Sequence, residues 1–207
     1  MGYAEALIPE TTMSDRIAII STRLLVKGWG SLSSVTLDYR HKDGTVQRLE
    51  REVYDHGNAA ALLLHDPARD TVLLVRQFRL PPLLNGDHPD LLEVCAGLLD
   101  GEAPALAANR EAIEETGHEP VNLVHVCDVY ASPGSLSEKT SLFVGQYNAT
   151  TRRGAGGGLA HEGEEIEVVE LTLADALAMI EDGRILDAKT IILLQHAALQ
   201  RAARQTP

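Results

Sequence analysis

The chain has 207 residues, 44% of them apolar, enough to bury the core of one large domain or of one domain with an appendage. Asp and Glu number 30 against 18 Lys and Arg, a balance that argues against electrostatic capture by nucleic acid or an anionic membrane. An anionic substrate must therefore be met by local cations or by a metal, not by the overall field.

No basic start followed by an apolar run is found at the N-terminus, so no secretory signal is expected. No apolar run reaches membrane-spanning length, and the cytoplasm is the expected location. Cys95 and Cys127 both sit in apolar surroundings. They are expected to be buried free thiols of a reducing compartment rather than a disulfide.

Residues 1–15 carry Pro9, two Thr, Ser14 and mixed charge, and read as poorly ordered. Residues 16–27 form an apolar, β-branched strand that Gly28-Trp29-Gly30 breaks. Residues 35–40 alternate, Lys42-Asp43-Gly44 signals a hairpin, and residues 45–54 alternate again. A small antiparallel sheet ending near Gly57 is expected. A sheet of that size is marginal alone and needs something to pack on.

Residues 59–64 and 71–78 read as strands separated by a turn at Asp66-Pro67. Pro81-Pro82 opens a polar loop through Asp90, and residues 91–96, LLEVCA, read as one short strand. A helix is predicted from Ala105 to Thr116, with Pro104 at its first position and Gly117 as its stop. Residues 121–130, 140–147 and 166–171 read as strands. The stretch 150–163 is polar and Gly-rich, its GAGGG run at 154–158 reading as a hinge. Thr172 and Asp175 form an N-cap signature for a helix ending at Gly183, and a final helix starts near Asp187. The order of elements predicts an α/β protein, a mixed sheet with helices on both faces.

The predicted helix at 105–116 carries most of the chemistry. Glu111, Glu114 and Glu115 are spaced i, i+3, i+4 and share one face, while Leu106 and Ile113 read as core on the other side. Like charges there repel, and near a helix C-terminus they also oppose the macrodipole. A solvated acidic face is the bland explanation. A hard divalent cation is the other, because it turns the repulsion into coordination.

Gly97 to His118, GLLDGEAPALAANREAIEETGH, resembles the Nudix box, GX5EX7REUXEEXGU with U aliphatic. Gly97, Glu102, Arg110, Glu111, Ala112, Glu114, Glu115 and Gly117 match. Only four residues separate Gly97 from Glu102, one fewer than the pattern, and His118 replaces the last aliphatic. REVYDHGNAAALLL at 51–64, VRQFR at 75–79, EVCAGLLD at 93–100, YASPG at 130–134 and DAKTIILLQ at 187–195 extend the likeness to the GDP-mannose pyrophosphatase branch, sister to the ADP-ribose pyrophosphatases.

The resemblance implies a Nudix α/β/α sandwich over residues 58–207. It implies a small N-terminal β-sheet over 1–57 that serves dimerisation and part of the substrate site. It implies a magnesium-dependent homodimer, with manganese as a substitute ion. Such an enzyme splits a nucleoside diphosphate sugar, foremost GDP-mannose into GMP and mannose 1-phosphate. ADP-ribose hydrolysis to AMP and ribose 5-phosphate is the alternative, and a nucleotide-sensing module without catalysis ranks below both. No nucleic-acid or membrane partner is implied.

By the same resemblance the metal ligands are Glu111, Glu115, Glu164 and the backbone carbonyl of Ala96. Glu164 is the catalytic loop carboxylate, with Glu162 and Glu165 close enough to exchange roles with it. Substrate contacts fall on Arg79, Gly97, Leu98, Glu138 and Lys189, and on Arg51 and Glu52 of the N-terminal sheet. Trp29 reads equally as a stacking surface for a nucleobase or as a core residue beside a Gly bend. Arg110 and Glu102 are expected to form an ion pair that steadies loop and helix.

Overall fold

The structure, a computed structural model, describes residues 14–205. The expectation for residues 1–15 therefore lies, up to residue 13, outside the described residues. The chain forms two compact units. Of the described residues, one unit holds those up to His56 together with Pro133–Ser137, and the other holds Gly57–Ser132 and those from Glu138 onward.

The first unit is an antiparallel sheet in the order β1 (Ile17–Lys27), β2 (Ser31–Arg40), β3 (Val46–Asp55). The β2–β3 turn is closed by the Asp43 carboxylate, which accepts from the Thr45 N–H and hydroxyl, with Gly44 left-handed at φ 87°. The Gly28–Gly30 turn needs its last glycine, because a Cβ at Gly30 would lie 2.7 Å from the Asp55 carbonyl oxygen. Ile20, Leu24 and Val26 of β1 are exposed within this unit.

The second unit is built on a seven-stranded mixed sheet. Its main path runs β10 (Glu167–Thr172), β5 (Thr71–Phe78), β4 (Ala59–Asp66), β9 (Thr140–Gln146), β8 (Val121–Val129), with β4 and β9 parallel. β4 and β5 pair only from Leu64–Asp66 to Thr71–Leu73 and then diverge. Two short strands fill the gap: β6 (Asp90–Glu93) pairs with β5, and β7 (Cys95–Leu98) pairs with β4. The single strand expected at 91–96 is thus two strands that change partner at Val94. The change has a visible cause, since the Val94 N–H donates to the Thr190 hydroxyl at 2.8 Å instead of to a strand.

Period-two alternation on β4 feeds two cores. Ala61 and Leu63 pack with Leu173 and Ala176 of α3 (Leu173–Glu181) and with Leu193, Leu194 and Ala197 of α4 (Ala188–Gln205). Ala60, Leu62 and Leu64 pack with Ala107 and Ala108 of α2 (Pro104–Glu111). Helices therefore cover both faces, and the layering is α/β/α. Thr172 caps α3 by accepting from the Asp175 N–H at 3.0 Å, as the sequence predicts. The loop expected after Phe78 instead contains a short helix, α1 (Leu80–Asn85), opened by two prolines where missing N–H groups cost nothing. Cys95 is buried and Cys127 partly buried, both as free thiols. No described helix is long and apolar enough to cross a membrane.

Candidate active site

The predicted helix is α2 followed by a π-turn, Ala112–Thr116, that ends on left-handed Gly117 at φ 75°. Its orientation reverses the sequence expectation. Leu106, expected in the core, is 64% exposed, whereas Ala107, Ala108, Glu111, Ala112, Glu115 and Thr116 make up the buried stripe. The acids lie on the packed face and not opposite it. Alanines at 107, 108 and 112 bring the helix backbone close to the sheet, so the glutamates reach β7. π-turns of this kind collect at functional sites, where they re-aim side chains.

Glu115 is 1% exposed, and its Oε2 accepts the Ala96 N–H at 3.3 Å. Among the described residues no Lys, Arg or His forms an ion pair with it. Burial pushes its carboxyl well above the usual range, and the charges of Glu111 and Glu164 push the same way against the Ala96 N–H and Arg79. Glu111, 9% exposed, is raised by burial as well, with Arg110 opposing and Glu114 and Glu164 reinforcing. Gly97 stands against Glu111 so closely that a Cβ there would lie 1.9 Å from Oε1.

Ala96 presents its backbone to this cluster. In an extended strand the N–H and C=O of one residue leave on the same side, so the Ala96 carbonyl leaves on the side where its N–H meets Glu115. Leu98 offers its carbonyl to Arg110 Nη2 at 3.1 Å. The Arg110 guanidinium also meets Glu102 at 3.0 Å, Glu111 at 2.8 Å and Glu114 at 3.0 Å. It ties the loop after β7 to the helix, as the expected ion pair with Glu102 requires.

The GAGGG run, expected as a hinge, is docked on this helix. Gly154 N–H donates to Gly117 O, Gly157 N–H to Glu115 O and Gly158 N–H to Glu114 O. These bonds satisfy carbonyls that a helix C-terminus otherwise leaves orphaned. Gly156, Gly157 and Gly158 all have positive φ. The docked run leads to Glu164, whose Oε2 accepts the Leu159 N–H at 2.8 Å. Glu164 is thereby brought close enough for its charge to act on both Glu111 and Glu115.

Arg79 follows β5 and meets Glu93 Oε2 through Nε and Nη2, both at 2.8 Å. Lys189, in the first turn of α4, lies 2.6 Å from Asp187 and 3.9 Å from Glu93 Oε1. Glu138 accepts from the Thr140 hydroxyl at 2.6 Å. The other predicted contacts belong to the first unit. Trp29 is 75% exposed and stacks on His56 at 4.9 Å, so the core alternative for Trp29 falls. Arg51 is exposed and donates to the Glu50 carbonyl, and Glu52 on β3 pairs in register with Ser34. Glu93 was not singled out from sequence. Its signal was present: one acid inside an apolar strand demands a partner when buried.

The residues fit a divalent cation. Two buried carboxylates, a third on the docked loop and a backbone carbonyl are hard oxygen donors, and Glu115 lacks a cationic partner among the described residues. Among these residues, no three Asp, Glu, His or Cys side chains are already gathered as a metal cage. A separate cavity of ≈ 590 Å³, lined by His65, Asp70, His125, His196 and Arg201, includes none of the predicted site residues.

A family model of the NUDIX domain matches residues 55–194, and a model described as the GDP-mannose pyrophosphatase NudK N-terminal domain matches residues 16–54. The chain belongs to the Nudix family of hydrolases. It is 46% identical over 189 residues to a protein of Pectobacterium atrosepticum named GDP-mannose pyrophosphatase, covering 91% of this chain and 97% of the relative. Relatives of the same name from Cronobacter sakazakii and Escherichia coli are 43% and 42% identical, covering 91% and 89% of this chain and 98% and 96% of their own. A solved structure described as an ADP compounds hydrolase superposes with a TM-score of 0.68 at 22% identity, covering 94% of this chain and all of that one. That likeness speaks to the fold.

Proposed function

We propose that this protein hydrolyses GDP-mannose to GMP and mannose 1-phosphate with magnesium, manganese serving as a substitute. The observation that carries this is the pair of buried carboxylates, Glu111 and Glu115, turned toward β7 in a chain whose near full-length relatives bear that enzyme name. Glu111, Glu115, Glu164 and the Ala96 carbonyl would hold the cation, which supplies neutralisation of the diphosphate and activation of water for attack on phosphorus. Glu164, held by the Leu159 N–H, takes the proton of the attacking water. Arg79 and Lys189 grip the phosphates, with Gly97, Leu98 and Glu138 as further contacts. Arg51, Glu52 and the exposed Trp29 ring contribute base and ribose recognition. The exposed Ile20, Leu24 and Val26 of β1 support a homodimer built through the N-terminal sheet, and the two free thiols support a cytoplasmic setting.

The test is a product assay of the purified protein on GDP-mannose and on ADP-ribose, with and without magnesium. GMP and mannose 1-phosphate are expected only with the metal. Glu111→Gln and Glu115→Gln should nearly abolish turnover, and Glu164→Gln should lower it by roughly 10²–10⁴-fold. Faster turnover of ADP-ribose would assign the enzyme to the sister activity, and full activity in either helix variant would remove the metal assignment.

A further inference from the structure

Glu93 is 4% exposed on the four-residue strand β6. For stability alone an apolar side chain would serve better there, since a buried carboxylate gains little net from its partners. Yet this one carboxylate faces two cations from distant elements. Oε2 takes both the Nε and Nη2 of Arg79, and Oε1 faces the Lys189 ammonium at 3.9 Å, too far for a hydrogen bond but within reach of its charge. Asp187 holds the same ammonium from the other side at 2.6 Å.

The two cations are not used up by these contacts. The Arg79 and Lys189 side chains remain 39% and 20% exposed. A guanidinium has five N–H groups, and Glu93 takes only two of those on Arg79. The charge of Arg79 also acts on Glu115, so the guanidinium lies within electrostatic reach of the carboxylate cluster. A planar fork and a point charge, fixed side by side, suit two linked phosphoryl groups.

We propose that Glu93 is a positioning residue that sets Arg79 and Lys189 as one paired grip for the substrate diphosphate. This rests on the site reading given above. The geometry makes the grip shared: a change at Glu93 disturbs both cations, while the metal carboxylates on α2 and the π-turn keep their own supports, Arg110 and Ala96 N–H.

The experiment compares wild type, Glu93→Gln, Arg79→Lys and the double variant, with GDP-mannose and magnesium, reading KM, kcat, the magnesium activation constant and the melting temperature. Glu93→Gln is expected to lower kcat/KM by roughly 10–100-fold, mainly through KM. The magnesium activation constant should stay unchanged, and Glu93→Asp should restore part of the loss. In the Arg79→Lys background the same change should cost less than it does in wild type, the remaining loss coming through Lys189. A wild-type KM in Glu93→Gln, losses that add in the double variant, or an equal loss of magnesium activation would overturn the inference. Should Glu93→Gln not fold, Arg79→Lys and Lys189→Arg carry the test: losses in KM that couple support the shared grip, and strict additivity overturns it. A wild-type protein that cleaves no sugar nucleotide would defeat the site reading and this inference with it, whereas wild-type turnover with an unaltered Glu93→Gln defeats this inference alone.

Discussion

The Glu111 carboxylate occupies the space where residue 97 would carry a Cβ, lying 1.9 Å from that position at Oε1 and 2.1 Å at Cδ. The backbone at 97 is not left-handed, so an alanine meets no conformational penalty there. It meets only the end of a flexible side chain, which can swing away. Gly97→Ala should therefore fold with a melting temperature near wild type and lose roughly 10²-fold in kcat/KM, the scale of about 1 Å of misplacement. Paired melting and kinetic measurements check this. An active Gly97→Ala enzyme would mean that Glu111 does not work from its present position.

Gly156→Ala should behave differently. Its φ is +74°, and a Cβ would lie 2.5 Å from the Glu115 carbonyl oxygen and 2.6 Å from the Thr116 carbonyl carbon, both backbone atoms that cannot swing aside. The expected cost is about 1–3 kcal/mol of stability. Activity should fall too, because the same docked run positions Glu164. Denaturant unfolding measures the first effect and steady-state kinetics the second.

These two glycines also mark how far the sequence could be read. Most of the strand pattern and the Thr172 cap were legible, because period and cap chemistry are local properties. Leu106 faces solvent against the sequence expectation, because alanines and acids are packed here so that the carboxylates reach β7. The change of partner at Val94 was invisible because its cause, the Thr190 hydroxyl, lies almost a hundred residues away in sequence. GAGGG read as a hinge because glycine's freedom is visible in sequence, whereas its docking on Glu114, Glu115 and Gly117 carbonyls is tertiary. Glu93 escaped notice because an isolated acid in a strand announces its partners only once Arg79 and Lys189 are in place.

Asp187 gives a pH prediction. It caps α4, accepting from Thr190 N–H at 2.9 Å and from the Thr190 hydroxyl at 2.6 Å, with Lys189 on its other oxygen. Burial would raise its pKa, but the Lys189 charge and the hydrogen bonds from Lys189 and Thr190 outweigh that and hold it below the ordinary 3.8. A folded value below the unfolded one means the carboxylate stabilises fully above the unfolded pKa, and that this is lost as pH falls through the folded value. Asp187→Ala should cost about 1–2 kcal/mol at neutral pH. The melting gap between wild type and Asp187→Asn should hold steady well above the ordinary 3.8 and close as pH falls below it. A gap unchanged over that range would contradict the sign.

If a divalent ion completes the buried pair Glu111 and Glu115, the melting temperatures of wild type and Glu115→Gln, each in chelator and in saturating magnesium, should report it. A ligand at a hundredfold excess over its Kd stabilises by about 2.7 kcal/mol, roughly 5–10 °C for a chain of this size. Wild type should gain a shift of that order with magnesium, while Glu115→Gln should gain nothing from the metal. A wild type indifferent to magnesium, or a Glu115→Gln variant that keeps the full shift, would mean that no divalent ion completes the pair.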